Sequence, residues 1–172
     1  MIALLRAINV GGRNKVPMAD LRKMFEALGF ASVQTLLQTG NVAFAGKATE
    51  AQLEAELKKR LDVDTEFFLR TESEWSKIIS ANPYPEMAGT DPGHLVVMFM
   101  KTAPTAAAVK GLEAAIKGRE TVKAVGKQLY ASYPDGIGRS KLTVKVIEKH
   151  LGCQGTGRNW NTVLKLAELA AR

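Results

Sequence analysis

Apolar and polar positions alternate in blocks along this chain, and the blocks predict regular elements in a definite order. Ile2 to Ile8 is an apolar run broken only by Arg6, which predicts a buried strand. Pro17 suits the first turn of a helix, where its missing N–H has no partner to lose. Leu21, Met24, Phe25 and Leu28 keep helical spacing, and Gly29 ends the helix. Ser32 to Leu37 and Asn41 to Ala45 read as two strands around a turn at Thr39-Gly40. Thr49 and Gln52 form a capping-box pattern ahead of a helix with Leu53, Leu57 and Leu61 on one stripe. Glu66 to Arg70 is a short aromatic strand. Thr71 and Glu74 form a second capping box, opening a helix with Trp75, Ile78 and Ile79 facing inward.

Asn82 to Gly93 carries three prolines and two glycines and predicts irregular chain. His94 to Lys101 is the next strand. Pro104 opens a helix with Val109, Leu112 and Ile116 on one face. Glu120 to Val125 and Gln128 to Tyr133 form a hairpin across Gly126-Lys127. Ser140 is placed to cap a helix carrying Leu142, Val146 and Ile147, which Gly152 stops. A last helix runs from about Asn161 to Ala171.

The order β-α-β-β-α-β over residues 2–70 is the split β-α-β, ferredoxin-like order, and 94–151 repeats β-α-β-β-α. The expected fold class is α+β, with two ferredoxin-like halves, antiparallel sheets and a C-terminal helix. The expected organisation is 1–81, a linker at 82–93, and 94–172. A single fused sheet is the alternative.

Charge alters this picture little. The net charge is +7 over 172 residues. Residues 1–47 carry six basic and two acidic side chains, 48–92 five and ten, and 93–172 thirteen and five. A basic balance attracts polyanions and also serves plain solubility. The longest purely apolar stretch, Leu95 to Met100, is strand length and far short of a membrane span. No basic stretch followed by an apolar one opens the sequence, so no secretory signal is expected. One cysteine, Cys153, permits no internal disulfide, and the expected compartment is the cytoplasm.

Three segments look like candidate chemistry. The first is Arg6, Asn9 and the loop Gly11-Gly12-Arg13-Asn14-Lys15, between a strand and a helix start. Two glycines permit close backbone approach, and Arg13 and Lys15 add whole positive charges, which suits phosphate or carboxylate. The competing reading is a surface crossover that needs glycine for its path. Arg6, in apolar company, must find a carboxylate, a ligand or the sheet edge. The second segment is the turn Gln38-Thr39-Gly40-Asn41. The third is Thr156 to Thr162, where Asn159 or Asn161 caps a helix and Arg158 or Thr162 faces a ligand, or where all serve capping and core anchoring.

The loop lacks the Gly-Lys-Ser/Thr ending of a Walker A loop and the third glycine of a dinucleotide fingerprint. His94, His150 and Cys153 fall at no catalytic or metal-ligand spacing, so no metal, cofactor or catalytic residue is assigned. Asp62, Asp64 and Glu66 alternate without a calcium-loop glycine. The RNA-recognition aromatic pattern is absent, with Phe44 alone on the third strand.

Taken together, Arg6-Ala7-Ile8-Asn9-Val10-Gly11-Gly12, Gln38-Thr39-Gly40-Asn41-Val42 and Arg158-Asn159-Trp160-Asn161-Thr162 resemble an uncharacterised bacterial family, domain of unknown function 1697. The resemblance spans essentially the whole chain. It implies a cytoplasmic α+β protein with ferredoxin-like halves and no assigned reaction. Thr39 stands where serine is expected in many members. The leading expectation is an anion site for a phosphate-bearing small molecule or nucleotide, built from Arg6, Asn9, Gly11, Gly12, Arg13, Lys15, Thr39, Gly40, Asn41, Arg158, Asn159, Asn161 and Thr162. Its rivals are a nucleic-acid-associated basic protein, an enzyme acting on a phosphorylated or carboxylated metabolite, and a partner-binding protein. The sequence leaves the oligomeric state open.

Overall fold

Strand β1 (Ile2–Leu5) has every side chain buried, which is why its sequence is a continuous apolar run with no period of two. The computed structural model describes all residues 1–172. β1 ends before Arg6, three residues earlier than the apolar run suggests, because Ala7 and Asn9 take positive φ and turn the chain away. Helix α1 (Met18–Ala27) starts after Pro17 and buries Leu21, Met24 and Phe25. Strands β2 (Ala31–Leu36) and β3 (Asn41–Ala45) form the predicted hairpin, with a register shift between Ala31 and Gln34. Helix α2 (Glu50–Leu61) is capped by Thr49, whose hydroxyl accepts from the Gln52 N–H at 3.1 Å. It ends at left-handed Asp62, and Lys58, Lys59 and Arg60 in its last turn suit the negative end of the helix dipole.

Strand β4 (Phe67–Arg70) completes an antiparallel sheet in the order β2-β3-β1-β4. As an edge strand it would expose a row of free N–H groups. Glutamates of α2 take them. The Phe67 N–H donates to Glu54 Oε1 at 2.9 Å, and the Leu69 N–H donates to Glu50 Oε1 at 3.0 Å. The spacing matches because four helical residues rise about 6 Å and two strand residues about 6.7 Å. On the helix-covered face Leu5, Val42, Phe44 and Phe67 pack with Phe25, Leu53 and Leu57. Phe25 meets Phe44 edge-on, with ring centroids 5.0 Å apart.

Helix α3 (Glu72–Ser80) opens on the predicted capping box with both reciprocal bonds made. The Glu74 N–H donates to Thr71 Oγ1 at 3.1 Å, and the Thr71 N–H donates to Glu74 Oε2 at 2.7 Å. Residues 82–93 correct the expectation of irregular chain. They hold helix α4 (Pro85–Thr90) and a 3-10 turn at Pro92–His94. Each short helix has proline in its first turn, where the ring starts a helix instead of breaking one.

Strand β5 (Leu95–Met100) is buried throughout. Helix α5 (Ala106–Ala115) is capped by Thr105, and β6 (Thr121–Val125) and β7 (Gln128–Ser132) form the predicted hairpin. Helix α6 (Val144–Leu151) is capped by Thr143 and not by Ser140. The Ser140 hydroxyl is engaged elsewhere, donating to Glu120 Oε1 at 2.6 Å. Strand β8 (Gly155–Asn159) is a second correction, because a helix start was expected there. Its glycines face thioethers of β5. A Cβ on Gly155 would lie 2.6 Å from Met100 Sδ, and one on Gly157 2.8 Å from Met98 Sδ. The second sheet runs β6-β7-β5-β8, again antiparallel, so residues 95–159 complete the same β-α-β-β-α-β order as residues 2–70. Both orders are ferredoxin-like. Helix α7 (Trp160–Ala170) closes the chain, with Asn159 Oδ1 accepting from the Thr162 N–H at 3.0 Å.

Contacts divide the chain into one unit of Met1–Lys77 with Lys165–Arg172 and a second of Ile78–Leu164. The changeovers fall inside α3 and α7 and not at 82–93. In the first unit, Ala167, Ala170 and Ala171 line a small hollow with Ile2, Glu72 and Trp75, which explains why the last turns of α7 belong there. No helix is long and apolar enough to cross a membrane.

Tyr133 links β7 to the approach of α6, its hydroxyl donating to the Leu142 carbonyl at 2.9 Å. Burial pushes its phenol up to about 12, with the Glu120 carboxylate adding to the shift. An acid raised by folding contributes stability that is intact below its unfolded value of about 10 and lost as pH climbs through the folded one. The urea midpoint should therefore stay level around neutrality and fall above about pH 10. Tyr133→Phe has no proton to lose there and should show a shallower alkaline fall. Equal falls in both proteins would contradict a buried neutral phenol.

Candidate functional site

The glycine loop is a small hairpin. Val10 and Arg13 pair across it, with the Arg13 N–H donating to the Val10 carbonyl at 3.1 Å and the Asn9 N–H to the Asn14 carbonyl at 3.0 Å. Gly11 and Gly12 are its two central residues, with φ of 59° and 74°. A two-residue turn of that hand needs positive φ at both positions, so glycine is required by the turn. A Cβ at either would meet nothing within 4 Å. Their requirement is therefore the backbone angle and not close packing.

Asn9 holds this hairpin in place. Its Nδ2 donates to the Val16 carbonyl at 2.9 Å and to the Gln38 carbonyl at 2.6 Å, and its Oδ1 accepts from the Val16 N–H at 2.8 Å. One amide thus joins the loop to the β2–β3 turn. Asn9 itself sits at φ 55°, a conformation asparagine tolerates better than most residues. In the turn, Asn41 is fully buried and donates to the Leu36 carbonyl at 2.8 Å and to Thr39 Oγ1 at 3.0 Å. Gly40 meets a different demand. Its φ is 78°, its carbonyl accepts from the Leu5 N–H at 2.9 Å, and a Cβ there would lie 2.7 Å from Ile8 Cδ1 and 2.8 Å from Leu5 Cβ.

The first two sequence segments therefore meet at one end of the first sheet. Arg6 has found a carboxylate, with its Nη1 3.5 Å from Glu66 Oε2, while Thr65 Oγ1 donates to its carbonyl. Arg13 and Lys15 are exposed and form no salt bridge. Val10 and Leu37, the chain neighbours of Asn9 and Gln38, are 63% and 55% exposed.

The third segment lies wholly in the second unit. Thr156 and Arg158 are buried on β8, with Arg158 Nη1 donating to Thr156 Oγ1 at 2.7 Å and to the Gly157 carbonyl at 2.8 Å. Burial pushes its guanidinium down to about 10, which leaves it charged at neutral pH. Asn159 caps α7, Thr162 is buried at that cap, and Asn161 is exposed. Gly157 and Asn159 also line a hollow of about 240 Å³ with Val96, Met98, Tyr133 and Ile137.

The sequence reading missed Arg70. It is buried on β4 and donates from Nη1 to the Leu69 carbonyl at 2.8 Å, as Arg158 donates to the carbonyl before it on β8. Burial lowers its pKa, and Glu74 and Glu50 oppose that shift. The available signal was its place at the end of the apolar run Phe67-Phe68-Leu69. No group of three or more His, Cys, Asp or Glu is arranged to hold a metal ion.

The class these features define is an α+β protein of two split β-α-β units, marked by an amide-pinned glycine hairpin. The chain belongs to the family described as protein of unknown function DUF1697, which matches residues 1–130. In solved structures it is similar to a conserved bacterial protein, SP0830 from Streptococcus pneumoniae. The two share 23% identity over 98% of this chain and 97% of that one, with a TM-score of 0.71. That likeness shows the fold. No curated protein matches the chain.

Two substitutions test the pinning. Asn9→Ala removes three hydrogen bonds and strains the backbone, and should cost about 2–3 kcal/mol in urea unfolding. Gly40→Ala adds a Cβ against packed side chains at positive φ and should cost about 2–4 kcal/mol. Losses under about 0.5 kcal/mol, the range of ordinary surface substitutions, would contradict these roles.

Proposed function

We propose that this protein binds an anionic small molecule, and that the pinned hairpin of the first unit is its recognition surface. The observation that carries the reading is the position of Arg13 and Lys15, exposed beside a turn whose backbone is anchored. Both flank a turn anchored at Asn9, and neither is neutralised by a carboxylate. A chain segment anchored before binding loses less backbone freedom on binding than a mobile loop. Positive φ at Ala7, Asn9, Asn14 and Leu37 supports the same reading, since unfavourable backbone held in place by its surroundings is often found at ligand sites. Exposed Val10 and Leu37 offer apolar contact beside the charges. Thr39 lies exposed on the adjoining turn, where its hydroxyl accepts from Asn41 Nδ2. A phosphate or carboxylate group suits these donors.

Inorganic phosphate, compared with chloride at equal ionic strength, should raise the melting temperature along a saturating curve. A ligand at a hundred times its Kd adds about 2.7 kcal/mol to stability. The double variant R13A/K15A should lose that saturating component while melting normally without phosphate. An unchanged curve in the variant would move the anion elsewhere. Tight polynucleotide binding with a steep salt slope would instead favour nucleic acid as the partner.

A further inference from the structure

The second unit holds a hollow of about 250 Å³ between the end of α5 and the start of α6. None of the three sequence segments contributes to it. Its rim carries Lys117, Arg139 and Lys141, all exposed. None of the three forms a salt bridge. Some other surface cations of the chain are paired, as in Arg22 with Glu26, Lys58 with Asp62, Arg60 with Glu56 and Arg119 with Asp135. Three like charges around one concavity repel each other, and an anion between them relieves that repulsion.

The hollow has built walls. Ser140 sits between two of the cations, donates to Glu120 Oε1 at 2.6 Å and accepts from the Leu142 N–H at 3.0 Å. The Leu142 carbonyl is held by Tyr133. The segment bearing Arg139 and Lys141 is thereby fixed at two points. Gly118 lies close beside Glu120, whose carboxylate a Cβ there would have to move aside. Ile116, Leu142 and Val146 supply an apolar floor, and the positive end of α6 begins beside it.

We propose that this hollow binds a small phosphomonoester that also bears hydroxyl groups, of the size of a sugar phosphate. The phosphate lies among Lys117, Arg139 and Lys141. The carbon body rests on Ile116, Leu142 and Val146. Glu120, the only acid in the lining, accepts from a ligand hydroxyl. The volume lies just below the usual range for small-molecule sites and accommodates a sugar phosphate. This site is independent of the hairpin proposal.

Calorimetric titration at low salt with ribose 5-phosphate, ribose and inorganic phosphate tests it. Ribose 5-phosphate should bind the wild-type protein, ribose should not, and inorganic phosphate should bind more weakly. R139A/K141A should weaken ribose 5-phosphate by about tenfold or more, since a single charge-assisted hydrogen bond accounts for much of such a factor. K23A/K47A, which removes two exposed lysines outside the lining, should leave it within about twofold of wild type. Both double variants alter exposed side chains, and their melting without ligand verifies folding. Absence of any ribose 5-phosphate binding, or equal binding in R139A/K141A, would overturn the proposal. Ribose 5-phosphate no tighter than inorganic phosphate would overturn the role of Glu120 and the apolar floor.

Discussion

The Asn9 side chain carries three hydrogen bonds at once, two through its nitrogen and one through its oxygen. They tie together three stretches that the backbone leaves apart: the glycine hairpin, the chain at Val16 leading into α1, and the β2–β3 turn. Remove the amide and each carbonyl and N–H at this corner must find water or another partner, which costs more than the bonds themselves gain. Gly40 is fixed by the same corner from the other side, since its missing side chain leaves room for Leu5 and Ile8. Asn9, Gly11, Gly12, Gly40 and Asn41 thus form one mechanical joint. The exposed cations near it inherit their placement from that joint.

The second unit reaches the same topology by different means. Its fourth strand is built from glycines laid against methionines, where the first unit uses Phe67 and Phe68 and lets α2 glutamates take the edge N–H groups. Both fourth strands nonetheless bury an arginine that donates to the carbonyl just before it. The repeated order of elements is therefore a repeat of architecture, filled by unrelated side chains. That explains why the two halves show little residue-level similarity.

Local signals were legible and distant ones were not. Capping at Thr49 and Thr71, the leucine stripe of α2 and the hairpin at Gly126 depend on neighbours within a few residues, and the chain states them directly. Strand β8 escaped because Gly155 and Gly157 alternate in size and not in polarity, so hydrophobic periodicity is silent there. Residues 82–93 escaped because prolines that begin helices look like prolines that break them. Ser140 and Thr143 are equally good caps by type, and only the bond from Ser140 to Glu120 decides between them. The candidate site divides along the same line. Its residues were found by type, while the bond from Asn9 to Gln38 spans 29 positions and the pairing of Arg6 with Glu66 has no local signature.

The central claim is that the glycine hairpin is a rigid part of the fold and not a mobile crossover. Native-state hydrogen exchange at two amides tests it most directly. The Val16 N–H is held by Asn9 and the Arg13 N–H by Val10, while the Leu5 N–H bonded to Gly40 reports the core. Exchange at Val16 should be protected to within about 1–2 kcal/mol of Leu5, and Arg13 should be slowed well below an open loop, because local opening here requires breaking the amide joint. Exchange at both positions near the rate of unstructured chain, with Leu5 still protected, would contradict the account.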